Sequence, residues 1–129
     1  MLPDDRDAAH LWDMLDAARA VEEFTSPVKF GQYLEDRKLR MAVERAVEII
    51  GEAARRVSDG FRSAHPEIPW KKIIGQRNVL AHEYGEVRHE RMWVLVTAGI
   101  PDLIAKLTPL VPPLPSENEH GQDPTGPRD

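Results

Sequence analysis

The feature that most constrains this chain is a seam of apolar residues between positions 39 and 57. Leu39, Val43, Ala46, Ile50, Ala53 and Val57 follow one another at spacings of four, three, four, three and four. That rhythm keeps one stripe of a helix apolar over about five turns, and such a stripe must be covered by other helices. The chain supplies them. Ala8, Leu11, Leu15 and Ala18 form a stripe on a first helix expected over 4–24. Asp4, Asp5 and Asp7 occupy its first turns, where carboxylates favour the helix dipole. "TSP" at 25–27 ends it, because a residue before proline avoids the helical region. The central helix is expected over 34–57, preceded by "VKFGQYLED" as a loop or an early turn.

"SDG" at 58–60 is the expected stop, with Gly60 suited to a left-handed cap. A third helix is expected from Trp70 to near His82, with Pro69 at its start and Gly85 as the breaker. A fourth runs over 88–107 and carries Met92, Val96, Ile100, Leu103 and Leu107. Pro101 falls inside that pattern, removes one backbone hydrogen bond, and should kink or restart the helix. No segment alternates apolar and polar residues over strand length. The expected fold is therefore all-α: an up-and-down four-helix bundle over residues 1–108, with a looser helical array as the alternative. Ala42, Val47, Ile49 and Ala54 lie outside the main seam, so the central helix has a second face to bury. A middle place in the bundle or a dimer would each cover it. Residues 109–129 hold six of the eleven prolines and are expected to be a largely disordered tail, its first residues laid along the bundle.

A chain of 129 residues suits one domain with a sizeable core. It has no cysteine, which removes disulfides and thiolate metal sites and fits a reducing cytoplasm. The N-terminal stretch lacks a basic region followed by an apolar run, so no signal peptide is expected. "MWVLVTAGIPDLIAKL" reads as too short and too broken to span a bilayer, and no membrane association is expected. The net charge of −5 argues against general coating of nucleic acid. A local basic site remains open, from "RKLR" at 37–40, "RR" at 55–56 or "KK" at 71–72, each of which otherwise is a solvated helix face. Without a basic recognition helix, sequence-specific DNA binding is not expected. Phosphate-cradling glycine loops and the GxSxG elbow are absent.

"RNVLAHEY" at 77–84 crowds Arg77, Asn78, His82 and Tyr84 into eight positions. At about 100° per residue, Arg77 and Tyr84 share a helix face and His82 lies about 140° from Arg77. One straight helix cannot converge all three. A helix end near His82 or a second subunit could. Arginine binds phosphate through a planar, permanently charged fork, and histidine exchanges protons near neutral pH. The pair suits RNA cleavage, in which histidine activates the ribose 2′-hydroxyl or protonates the leaving oxygen and arginine stabilises the transition state. A two-fold dimer would supply the second histidine. A plainer reading is also open: His82 favoured by the helix dipole, Arg77 paired with Glu83 or Glu44, and Tyr84 packed with its hydroxyl in water. His82, Glu83 and His89, with His10 or His65, are the conceivable metal ligands. No HExxH or ExxH pair supports them, and neither metal nor cofactor is expected.

The same stretch matches the R-x4-H-x-Y pattern of HepT-like toxins of the HEPN superfamily. "IPWKKIIGQRNVLAHEYGEV", "RAVEIIGEAARRVS" at 45–58 and "MWVLVTAGIPDLIAKL" also resemble that family's flanking helices, over roughly residues 5–107. The resemblance implies a dimeric HEPN-like four-helix bundle and a metal-independent ribonuclease toxin acting on cellular RNA. It implies Arg77 and His82 as the catalytic pair, with Asn78 in a supporting role. It implies a partner, an MNT-type nucleotidyltransferase antitoxin, that silences the toxin by transferring AMP to Tyr84. A non-catalytic dimer that only binds this partner is the alternative.

Overall fold

The computed structural model describes residues 3–82 and 88–113, apart from the side chains of 79–82. Its helices are α1 (Asp5–Thr25), α2 (Phe30–Glu35), α3 (Arg37–Arg56), α4 (Asp59–Ala64), α5 (Trp70–His82), α6 (His89–Val94) and α7 (Ile100–Leu107). A π-helical turn over Leu95–Gly99 joins α6 to α7, and a short 3₁₀ turn over Thr108–Leu110 follows. Among the described residues there is no strand, and the chain is all-α as expected.

Asp4 caps α1, its carboxylate accepting from the Asp7 N–H at 2.8 Å, and the helix ends before Ser26 and Pro27. The expected central helix is cut at Asp36. That residue is extended (φ −108°, ψ 93°) and its side chain accepts from the Leu39 N–H at 3.0 Å, so it starts α3 afresh. "FGQYLE" thereby becomes a separate short helix, entered by a hydrogen bond from the Lys29 N–H to Gln32 Oε1.

α3 ends at Arg56, next to the expected Val57, but not through a left-handed cap at Gly60. Ser58 caps α4 instead, Gly60 lies inside that helix, and no described glycine has positive φ. Ser58 is held from the far end of the chain. Buried Asp7 accepts from the Ser58 N–H at 2.8 Å and the Ser58 hydroxyl at 2.6 Å.

The fourth helix is interrupted where Pro101 requires it. Proline at the second position of α7 cannot donate backward, and the wider π turn before it absorbs the mismatch. The whole stretch from His89 to Leu110 is long and apolar enough to cross a membrane. Its stripe of Met92, Val96, Ile100, Leu103 and Leu107 is buried in the bundle, which is how the core helix of a folded domain also reads. Leu110 and Val111 extend that packing past the expected boundary at 108. The remainder of the expected tail, from residue 114, lies outside the described residues.

α3 is the central element, with α1 packed on it on one side and α5 on the other; α1 also carries α7. Both faces foreseen on α3 are used: Val43, Ala46, Ile50 and Ala53 are buried, and so are Val47 and Ala54.

Candidate functional site

α3 and α5 meet at a glycine. A Cβ built on Gly51 would stand 2.1 Å from Arg77 Cβ, 2.9 Å from its Cγ and 3.0 Å from the Ile73 carbonyl oxygen. Only a residue without a side chain lets the two backbones approach this closely. The approach seats the base of Arg77 in the seam between the helices.

The next residue of α3 receives the guanidinium. Arg77 Nε donates to Glu52 Oε1 at 3.0 Å, and Nη2 reaches the same oxygen at 2.8 Å. Arg77 Nη1 donates to Asn78 Oδ1 at 3.1 Å. Of the two partners the sequence offered, Glu83 and Glu44, the structure puts Glu52 in the place of Glu44. Glu83 lies outside the described residues, and Glu44 sits two turns earlier on α3.

Glu52 holds more than Arg77. Arg55 and Arg56 each donate to its Oε2 at 3.1 Å. Three guanidinium groups thus converge on one carboxylate. The hydrogen bond from Arg55, joined by the charge of Arg77, holds the Glu52 carboxyl below its usual range against a desolvation penalty. The "RR" pair is therefore built into the network around Arg77. α3 carries six Lys and Arg against three Glu, and α5 carries three with no acid. Within an acidic chain, this pair of helices carries a net positive charge.

Arg77 keeps binding capacity in this arrangement. A guanidinium has five N–H donors. Two point to Glu52 and one to Asn78, and among the described residues the other two, one on each terminal nitrogen, meet no partner. Its side chain is 19% exposed, so those donors are held in place by the seam. This geometry suits the oxygens of a phosphodiester.

Of the other expected site residues, His82 is the last residue of α5, and its side chain is outside the described set, as is Tyr84 altogether. The conceivable metal ligands that are described, His10, His65 and His89, lie apart. His10 lines a groove between α1 and α3, His65 pairs with Glu67, and His89 packs edge-on against Tyr33. Among the described residues no group of three or more metal-ligating side chains forms.

Sequence reading missed Glu52 and Gly51. The available signal was a glycine in the middle of a long apolar helix seam, followed at once by an acid. Such a glycine costs helix stability and so calls for a packing reason.

Comparison with known proteins gives a consistent match. A family model described as "Ribonuclease HepT-like" matches residues 14–110. "Putative RNase MJ1380" of Methanocaldococcus jannaschii is 38% identical over 95 residues, covering 74% of this chain and 87% of that protein. "Probable ribonuclease HepT" of Thermococcus cleftensis is 40% identical over 101 residues, covering 78% of this chain and 92% of the relative. No solved structure matches the chain.

Proposed function

Because the chain belongs to the HepT-like ribonuclease family, we propose that it is a metal-independent endoribonuclease toxin that cuts cellular RNA in the cytoplasm. The observation that carries this reading is the state of Arg77. Its guanidinium is anchored by Glu52 and Asn78, and among the described residues two of its N–H donors have no partner, which suits a phosphodiester.

In the proposed reaction, Arg77 holds the non-bridging oxygens of the scissile phosphate and stabilises the charge that grows there. His82 removes the proton from the ribose 2′-hydroxyl. The 2′-oxygen attacks phosphorus, the bond to the 5′-oxygen breaks, and an acid delivers a proton to that leaving oxygen. The products are a 2′,3′-cyclic phosphate and a 5′-hydroxyl. Acid and base are both supplied if two chains face each other across one cleft. That assembly is a homodimer.

Control falls to Tyr84 in this reading. An MNT-type nucleotidyltransferase antitoxin joins the Tyr84 oxygen to the α-phosphate of ATP and releases pyrophosphate. The added AMP brings negative charge and bulk beside Arg77, where RNA phosphate would bind, and so blocks the site.

The test is His82→Ala. RNA cleavage and growth inhibition should both disappear while the helical content stays that of the parent. Cleavage at the parent's rate would remove His82 from the mechanism. The control reading is checked by intact mass after co-expression with the antitoxin: AMP additions should appear, and should be lost in Tyr84→Phe.

A further inference from the structure

A groove of about 230 Å³ lies between α1 and α3, directly beside the Arg77 network. Glu52 and Arg56 belong to both. Half-buried Ile49 and buried Ala53 form an apolar floor. One wall is His10 and Asp13 of α1, three residues apart and so on one helix face. The opposite wall is α3, where Arg45 already pairs with Glu48 at 3.2 Å and Arg56 with Glu52 at 3.1 Å. Among the described residues no ion pair engages Asp13, which is exposed.

The lining decides what fits. Three carboxylates stand against two arginines, so the groove does not attract a phosphate. It suits a neutral, flat group with N–H donors. Its volume lies below the range of about 300–1,000 Å³ typical of drug-sized ligands, which leaves room for a single base and none for a base pair.

We propose that the α1–α3 groove is the subsite for one unpaired nucleobase of the RNA, adjacent to the phosphodiester held by Arg77, and that Asp13 reads the base's N–H edge. This deepens the ribonuclease reading above and rests on it. The base would lie on Ile49 and Ala53, with its phosphate outside the groove on the Arg77 side. Unpaired bases in RNA are recognised in this way, through stacking and their Watson–Crick edges.

The carboxylate sets a preference. Guanine presents two parallel donors, N1–H and the 2-amino group, which match both oxygens of Asp13. Adenine and cytosine offer an amino group beside an acceptor. Uracil offers one N–H between two carbonyl oxygens that repel a carboxylate. The expected order is guanine first and uracil last.

The experiment titrates the full chain with guanosine and uridine 5′-monophosphates and follows both by NMR. The guanosine nucleotide should bind about tenfold more tightly, the discrimination typical of a two-point contact. Its shifts should centre on His10, Ile49 and Ala53. Asp13→Asn, at an exposed position that does not threaten folding, should abolish the preference. Equal affinities in the parent chain, no binding of either nucleotide, shifts that avoid the groove, or a preference that survives Asp13→Asn would each overturn the subsite. The readout is independent of catalysis. A chain that binds the guanosine nucleotide here but cuts no RNA loses the ribonuclease reading. A chain that cuts RNA but shows no guanine preference in the groove loses only the subsite.

Discussion

α3 carries the same residue type at two positions in opposite circumstances. Glu44 and Glu52 are eight residues apart, about 12 Å along the helix. Glu52 accepts from Arg55, Arg56 and Arg77, and its carboxyl is held below the usual range. Burial pushes the Glu44 carboxyl up, and the nearby charges of His89 and Arg40 only partly offset it. Around Glu44 lie a fully buried Tyr33 hydroxyl and the His89 Nδ1, neither with a hydrogen-bond partner among the described residues. One helix thus holds a settled charge network at its C-terminal end and an unsettled one toward its N-terminal end. The difference comes from what packs against each: α5 brings a guanidinium to Glu52, whereas α2 and α6 bring a phenol and an imidazole near Glu44. A site meant to grip phosphate needs its cation fixed in advance, and only the Glu52 end provides that.

The largest effect is expected from pushing α5 off α3. Gly51→Ala places a methyl group 2.1 Å from Arg77 Cβ and 3.0 Å from a backbone oxygen, and backbone cannot swing aside. The expected loss is about 3 kcal/mol, at the upper end for overpacking. RNA cleavage should fall with it, because Arg77 leaves Glu52. A urea melt of the variant checks the first effect. An unchanged midpoint would mean that the close approach is not what seats Arg77.

The unsettled end can be probed with alkali. Burial, aided by the charge of Glu44, pushes the Tyr33 phenol up to about 12 from an ordinary value of 10.0. A raised value means that the folded state keeps its proton while the unfolded chain ionises. Stability is therefore unaffected below pH 10 and declines as the pH climbs from about 10 to about 12, by about 3 kcal/mol in total. Tyr33→Phe should flatten that decline. In a Tyr84→Phe background, ultraviolet absorbance reports Tyr33 alone, and ionisation near 10 would show that the phenol is not sequestered.

These contrasts divide what the sequence made legible from what it did not. The apolar periods of α1, α3 and α7 were readable because each position's fate follows from helical geometry alone. Leu11, Val43 and Leu107 are fully buried, as their spacing required. The short helices α2 and α4 were not, since they depend on single capping bonds at Asp36 and Ser58 that compete with continuing one helix or ending it. Within the site, Arg77 was legible as a residue with chemistry. Its true partner was not, because Glu52 lies 25 positions away and nothing local distinguishes it from Glu44 or Glu83. Long-range charge pairing is set by which helices touch, and that was fixed by Gly51.

The finest discrimination comes from neutralising the two glutamates separately. For Glu52, the folded carboxyl is more acidic than the unfolded one, so its contribution is present above the ordinary carboxylate range and is lost as the pH falls through the lowered value. For Glu44 the sign reverses. The folded state favours the proton, so the ionised carboxylate opposes folding once the pH rises above the ordinary range. At neutral pH, Glu52→Gln should therefore lower the melting temperature slightly and Glu44→Gln should raise it slightly. Both effects should shrink in acid, where the native carboxyls are protonated. Paired thermal melts across pH 3 to 7 measure this. Shifts of the same sign at neutral pH would mean that the two ends of α3 are electrostatically alike, and that the arginines converging on Glu52 do not set it apart.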